Sequence, residues 1–306
     1  MLENEVIIVN GVPKQIYENL INDCVKYSII SLPFTINRMN ISNVKQRVLN
    51  IAKGKIAEAL FKFFCEQNNI PSNFALCTTP FWTVDRRDFL LHGDEWDIKN
   101  NFIYHDGDML VHYHYTELPA LVPNRYHGDQ WSKRTENTIP NSLNVKFLFT
   151  FLKNANLING IRGREFLEIV LSESQIQFIR NLYCNKYKGQ PQHNEPFTEE
   201  WFWEEMAYRG HTNYYNLFFR PFLVITGYCD RSTWDHFKDT GGLAGLNYRN
   251  YLNPSWYSRS RTGSLNFLNG TLWTTITNAT CPISVLPSFL SMFKGLKDRM
   301  IYATTL

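Results

Sequence analysis

Long apolar runs are missing from this chain, and so are the loops that mark a nucleotide-binding enzyme. No stretch has the length and apolarity of a membrane span, and the opening MLENEVIIVNG is acidic, so neither a signal peptide nor a transmembrane helix is expected. P-loop, GxGxxG and GxSxG patterns do not occur, which excludes the phosphate-cradling loops and the nucleophile elbow. Six cysteines (Cys24, Cys65, Cys77, Cys184, Cys229, Cys281) are scattered without a CxxC pair. They read as reduced core thiols of a cytoplasmic protein, with no disulfide framework and no zinc site. Charge is modest too, at 19% charged residues and a net +3, which permits a polyanionic partner without demanding one. There are no internal repeats and no low-complexity tract.

What remains is apolar and aromatic. Hydrophobic residues make up 44% and aromatics 15% of 306 residues, enough to build one large domain with a sizeable core. A single domain over residues 1–306 is expected.

The most informative stretch is VDRRDFLLHGDEWDIKNN, residues 84–101. Residues 84–91 are apolar and β-tolerant, and 95–101 alternate. His92-Gly93-Asp94 between them is turn chemistry, so the stretch reads as a β-hairpin. With His92 and Gly93 as the central turn residues, Leu91 faces Asp94 and Asp88 faces Asp97. A turn centred on Gly93-Asp94 would place Asp88 opposite Lys99 instead. Side chains repeat every two residues along a strand, so Asp97 and Lys99 share a face while Trp96 and Ile98 point toward a core. Two carboxylates and an ammonium then cluster. Such a cluster suits magnesium, which takes one or two carboxylates together with water and substrate phosphate oxygens. The plainer alternative is a surface hairpin with a solvated charged face.

Glu58, upstream in GKIAEALFKFF, lies in unusually apolar surroundings. An unpartnered carboxylate there would be costly or would titrate high. A metal or a lysine partner resolves that, and helical spacing offers Lys55 and Lys62 as the partners.

Around these residues the pattern predicts a strand over 5–9. A helix follows over 13–30, with Ile16, Leu20, Ile21 and Val25 on one face. Ser42 can cap a helix through Val44, Val48 and Ile51 toward Glu66, which Gly54 divides into two or leaves as one. Strands are predicted over 73–82, 108–115, 145–152 and 222–228. Residues 119–144 read as a long loop, 160–164 as a turn and 186–196 as a linker. Ser172-Glu173-Ser174-Gln175 forms a capping box opening a helix to Tyr183. Thr198 caps an acidic helix with a solvated face, and Ser232 starts a further helix through Phe237.

Two regions offer contacts to a nucleic acid. Arg125, Gln130 and Lys133 lie in the long loop, where they could meet a phosphate backbone or simply be solvated. Residues 241–281 interleave Arg249, Arg259 and Arg261 with Tyr251 and other aromatics. Arginine reads base edges and aromatics stack on bases. The same composition also suits an irregular aromatic-packed subregion.

Asp88 followed by Asp97-Ile98-Lys99, with Glu58 on the preceding helix, resembles the PD-(D/E)XK signature of restriction-endonuclease-like nucleases. The likeness covers residues 45–102 best, and the nominal proline before the first acid is absent, since Arg87 stands there. The resemblance implies an α/β fold, a restriction-endonuclease-like core over about residues 40–240, with a mixed central sheet flanked by helices. It implies a Mg²⁺-dependent hydrolase with one or two ions held by Asp88, Asp97, the Ile98 carbonyl and Glu58, and with Lys99 at the attacking water. A free-standing chain of this kind looks most like a type II restriction endonuclease, acting on double-stranded DNA as a homodimer. Another PD-(D/E)XK nuclease (phage defence, repair or RNA-directed) and a non-catalytic nucleic-acid-binding protein are the alternatives.

Overall fold

The computed structural model describes residues 1–35, 43–78, 80–82, 87–106, 114–122, 145–158, 161–184, 197–230, 263–267, 270–274 and 279–306. In chain order, strand β1 (Ile7–Val9) leads to helices α1 (Lys14–Ile30), α2 (Leu32–Thr35) and α3 (Val44–Gln67). Strands β2 (Ser72–Asn73), β3 (Phe89–Leu91), β4 (Asp94–Asp106), β5 (Pro119–Val122), β6 (Val145–Ile158), β7 (Ile161–Glu165) and β8 (Leu167–Ile169) follow. Helices α4 (Glu173–Cys184) and α5 (Glu199–Tyr208) come next, then β9 (Tyr215–Leu217), β10 (Leu223–Cys229), β11 (Gly263–Phe267), β12 (Gly270–Thr274), β13 (Ala279–Pro282) and β14 (Ala303–Thr305).

Eight strands form one mixed sheet, in the order β14-β1-β10-β6-β4-β3-β2, with β7 folded back on β6. The β4–β6 pair is parallel and its neighbours are antiparallel. Parallel strands need a crossover, and here part of it passes over one face of the sheet, where Tyr115, Leu118 and Ala120 are buried against Phe147, Phe149 and Phe151 of β6. The opposite face carries the larger core, in which the apolar sides of all the described helices meet Trp96, Ile98, Leu148 and Leu152. The expected mixed sheet flanked by helices is present, with those helices gathered on one side.

Local chemistry explains most elements. Ser172 and Gln175 make the predicted capping box: the Ser172 N–H donates to Gln175 Oε1 at 2.9 Å and the Gln175 N–H to Ser172 Oγ at 3.1 Å. Thr198 Oγ1 caps α5 by accepting from the Trp201 N–H at 3.1 Å. Helix α3 runs unbroken through Gly54, and its cap is Asn43, whose Oδ1 accepts from the Gln46 N–H at 3.1 Å. Ser42 lies outside the described residues. On α1 the buried stripe is Tyr17, Ile21, Cys24, Val25 and Ser28, whereas Ile16 is exposed.

Four predicted segments differ. The strand expected over 73–82 is cut to Ser72–Asn73, because Asn73 Oδ1 accepts from the Leu76 N–H and starts a 3-10 turn over Ala75–Cys77. Residues 161–164 belong to β7, paired with β6 through Ile158 and Ile161, so the expected turn is the far side of a hairpin. Tyr115–Glu117 is a 3-10 turn, and residues 119–122 form β5, paired with β13. Residues 107–113 and 123–144, the linker, and the helix from Ser232 lie outside the described residues. Among the described residues, no helix is long and apolar enough to cross a membrane.

Candidate active site

The β3–β4 hairpin adopts the first of the two registers read from the sequence. Leu91 pairs with Asp94, Leu90 with Glu95 and Phe89 with Trp96. His92 and Gly93 are the central turn residues, with φ of 54° and 83°. Positive φ at both positions matches the twist of the two strands, and glycine meets that requirement without a steric cost. Trp96 and Ile98 are buried in the helix-side core as expected. Asp97 and Lys99 stand on the other face, level with Phe147 and Phe149 of β6.

The ladder ends at Asp88. Its N–H donates to the Trp96 carbonyl at 2.9 Å, and its side chain turns inward, where Oδ2 accepts the Ile98 N–H at 2.5 Å. A carboxylate thereby takes the place a further β3 carbonyl would have held. Because that N–H points along the sheet plane, the Asp88 carboxylate lies at the sheet edge. Asp97 approaches it from one face and Glu58 of α3 from the other. A residue's N–H and C=O leave a strand on the same side, so the Ile98 carbonyl is directed to this edge as well.

Helix α3 is fixed against the hairpin by aromatic packing. Phe61 meets Phe89 with ring centroids 5.0 Å apart, and Phe89 stacks on Trp96 at 5.6 Å. Glu58 lies one helical turn before Phe61, so the same contact that anchors the helix sets its carboxylate beside Asp88.

Charge in the cluster is largely paired. Lys99 Nζ lies 2.5 Å from Asp97 Oδ2, Lys55 Nζ 2.6 Å from Glu58 Oε2, Arg87 Nε 2.6 Å from Glu95 Oε2 and Lys146 Nζ 2.6 Å from Asp94 Oδ2. The plainer reading of Glu58, a helical pair with Lys55, is therefore realised together with its placement beside Asp88. Asp88 has no ion-pair partner among the described residues. Burial first, and then the like charges of Glu58 and Asp97, hold its carboxyl well above the ordinary carboxylate range; Lys55 and the Ile98 N–H offset part of this.

Among the described residues, no three acidic, histidine or cysteine side chains converge closely enough to enclose a metal ion by themselves. Magnesium keeps several waters and asks for only one or two carboxylates. Asp88, Asp97 and the Ile98 carbonyl are hard oxygen donors at one edge, and a divalent cation would relieve the like-charge repulsion that, after burial, raises the Asp88 pKa, so these residues fit such an ion.

On the helix side, Asp88 is among the residues that line a groove of about 490 Å³ between α1, α3 and the Ala75–Cys77 turn. Glu58 and Asp88 were found there from the sequence, with Lys55 and Lys62 as helical neighbours of Glu58, whereas Asp23 and Tyr27 of α1 were missed. The available signal was spacing, since Asp23 and Tyr27 are four apart on one helix face.

Arg125, Gln130, Lys133, Arg249, Tyr251, Arg259 and Arg261 lie outside the described residues. The backbone of the β11–β12 ribbon, within the 241–281 region, runs close to β4. Comparison of the chain with models of protein families, with curated proteins and with solved structures found no match.

Proposed function

We propose that this chain is a magnesium-dependent endonuclease that hydrolyses phosphodiester bonds in double-stranded DNA, and that it acts as a homodimeric, site-specific type II restriction endonuclease. One observation carries the reading: a carboxyl without an ion-pair partner among the described residues, Asp88, wedged between Glu58 and Asp97 at a sheet edge, with Lys99 on Asp97. A purely structural hairpin gains nothing from that repulsion. A phosphoryl-transfer site does, because the repulsion is relieved when a cation arrives.

In this reading Asp88 and Asp97 bind the ion, the Ile98 carbonyl adds a neutral oxygen, and Glu58 contributes directly or through water. When bound, such an ion would supply Lewis-acid chemistry, activating a water and offsetting charge at the scissile phosphate. Lys99, beside Asp97, would hold the attacking water in line or stabilise charge on the phosphate oxygens. Attack on phosphorus breaks the bond to the 3′ oxygen, leaving 5′-phosphate and 3′-hydroxyl ends. The closeness of the β11–β12 ribbon to β4, the strand that carries Asp97 and Lys99, supports a role for the 241–281 region in contacting DNA.

A second reading, a non-catalytic nucleic-acid-binding protein, is favoured by the lysines that neutralise Glu58 and Asp97 where they stand. Cleavage of supercoiled plasmid and linear duplex, in Mg²⁺ and in EDTA, by wild type and Asp97→Ala, separates the two. Discrete bands requiring both Mg²⁺ and Asp97 are expected. A smear would retain the nuclease and remove site specificity. No cleavage of DNA or RNA by either protein would leave the binding reading.

A further inference from the structure

Two carboxylates flank Asp88, and each holds a lysine. Lys99 stands on Asp97, where it belongs to the chemistry proposed above. Lys55 stands on Glu58, and that chemistry gives it no task. Its position is set twice. Lys55 and Glu58 are three residues apart on α3, so the helix itself brings the ammonium to Glu58 Oε2 at 2.6 Å. The Tyr27 ring of α1 then holds that ammonium from a second element, with Nζ 5.4 Å from the ring centroid. The pair is largely buried, with side chains 22% and 27% exposed, so salt screens it weakly. The charge of Lys55 also reaches Asp88 and offsets part of the repulsion there.

Phosphoryl-transfer sites use one divalent ion or a pair roughly 3.5–4 Å apart. Asp88 lies between Asp97 on one face and Glu58 on the other, so a second ion beside Asp88 would take its oxygens from the Glu58 side. Lys55 is already there. An ammonium hydrogen-bonded to a carboxylate oxygen fills the space of an ion bound to that oxygen, and it repels a dication brought beside it. Three carboxylates, Glu58, Asp88 and Asp97, face two ammoniums, so one divalent ion already outweighs the negative charge that remains.

We infer that Lys55 is a positioning residue that keeps this cluster to one divalent ion: it takes the place of a second ion at Glu58 and leaves Glu58 to act on the first through water. The inference rests on the nuclease reading above and narrows one or two ions to one.

The count of bound ions tests it without reference to cleavage. Mn²⁺ is the probe, in the absence of DNA, and the electron paramagnetic resonance of free Mn²⁺ measures what is bound. Wild type, Lys55→Met, Lys55→Arg and Asp97→Ala are compared, with Lys55→Gln as a second neutral variant should methionine prevent folding. Wild type and Lys55→Arg are expected to bind one ion per chain. Lys55→Met should bind two, the second roughly tenfold or more tighter than any further ion on wild type. Combining Lys55→Met with Glu58→Gln should return the count to one. A lysine with only a structural role would lower affinity when lost and would not raise the count. Two Asp97-dependent ions on wild type, or a single ion on both neutral variants, would overturn the role of Lys55 and leave the magnesium reading standing. If none of the proteins binds Mn²⁺, or if Asp97→Ala binds it like wild type, the magnesium reading falls and the role of Lys55 with it.

Discussion

The Asp88 carboxylate accepts the Ile98 N–H at 2.5 Å, replacing a main-chain partner at the point where β3 ends. One side chain therefore extends the hairpin ladder and also carries the charge on which the proposed chemistry depends. These two roles conflict. Asparagine would make the hydrogen bond equally well and carry no charge.

That conflict predicts a pH-dependent stability. Asp88 titrates higher in the fold than in the unfolded chain, through burial and through Glu58 and Asp97. A carboxyl raised in this way binds its proton more tightly when folded. The stability it contributes is complete below the unfolded value, about 3.9, and is lost as pH rises through the raised value. Asp88→Asn is expected to be more stable than wild type at pH 7 in EDTA, with the difference closing below about pH 4. Magnesium should raise the melting temperature of wild type and leave the variant unchanged. Urea unfolding at the two pH values reads the first effect and a thermal melt the second; a wild type at least as stable as Asp88→Asn at pH 7 would contradict the account.

Lys99→Met removes the ammonium, which pairs with Asp97 and lies over the Phe147 ring, while keeping an unbranched apolar side chain there. Cleavage should fall by roughly 10²–10⁴-fold, the usual range for losing a positioned acid–base group. The urea midpoint should move little. A variant that cuts like wild type would remove Lys99 from the mechanism.

Gly54 sits inside α3, and a Cβ built there meets nothing within 4 Å. Gly54→Ala should stabilise the chain by about 0.5–1 kcal/mol, by restricting the unfolded state and improving the helix. A lower melting temperature would show that Gly54 is needed for a reason other than space.

Lys53, 3% exposed, reaches Glu165 of β7 at 2.5 Å and lies over the Phe102 ring. Removing one member of a buried pair strands the other. Lys53→Ala is expected to cost about 3 kcal/mol, near the lower end for buried pairs because Glu165 keeps some solvent contact. Chemical denaturation measures it. A cost under about 1 kcal/mol would place the pair with ordinary surface bridges.

The hairpin was legible because its information is local: His92-Gly93 fixes the turn, and alternation fixes the faces. The capping residues Ser172 and Thr198 were legible for the same reason. Asp88 was read as the cross-strand partner of Asp97, and its carboxylate instead enters the sheet plane, since nothing in residues 84–91 states where the ladder stops. The groove was not legible. Tyr27 and Phe74 look like ordinary core aromatics until α1 and the Ala75–Cys77 turn are brought to α3, and that juxtaposition is made by tertiary packing. The placement of the helices on one face was hidden likewise, because an amphipathic stripe shows that a face is buried and not which side of the sheet buries it.

The sheet also sets a schedule. Ile7 of β1 lies between Ile225 and Thr305, so β1 waits for β10 and β14, both synthesised more than 200 residues after it. The acidic hairpin can close early, and β6 soon joins it, but Ile7–Val9 has no edge to join until β10 emerges. A nascent or truncated chain ending before residue 223 would carry Asp88, Asp97 and Lys99 without the sheet that holds them in place. If the proposed nuclease reading holds, cleavage would be withheld from such a chain.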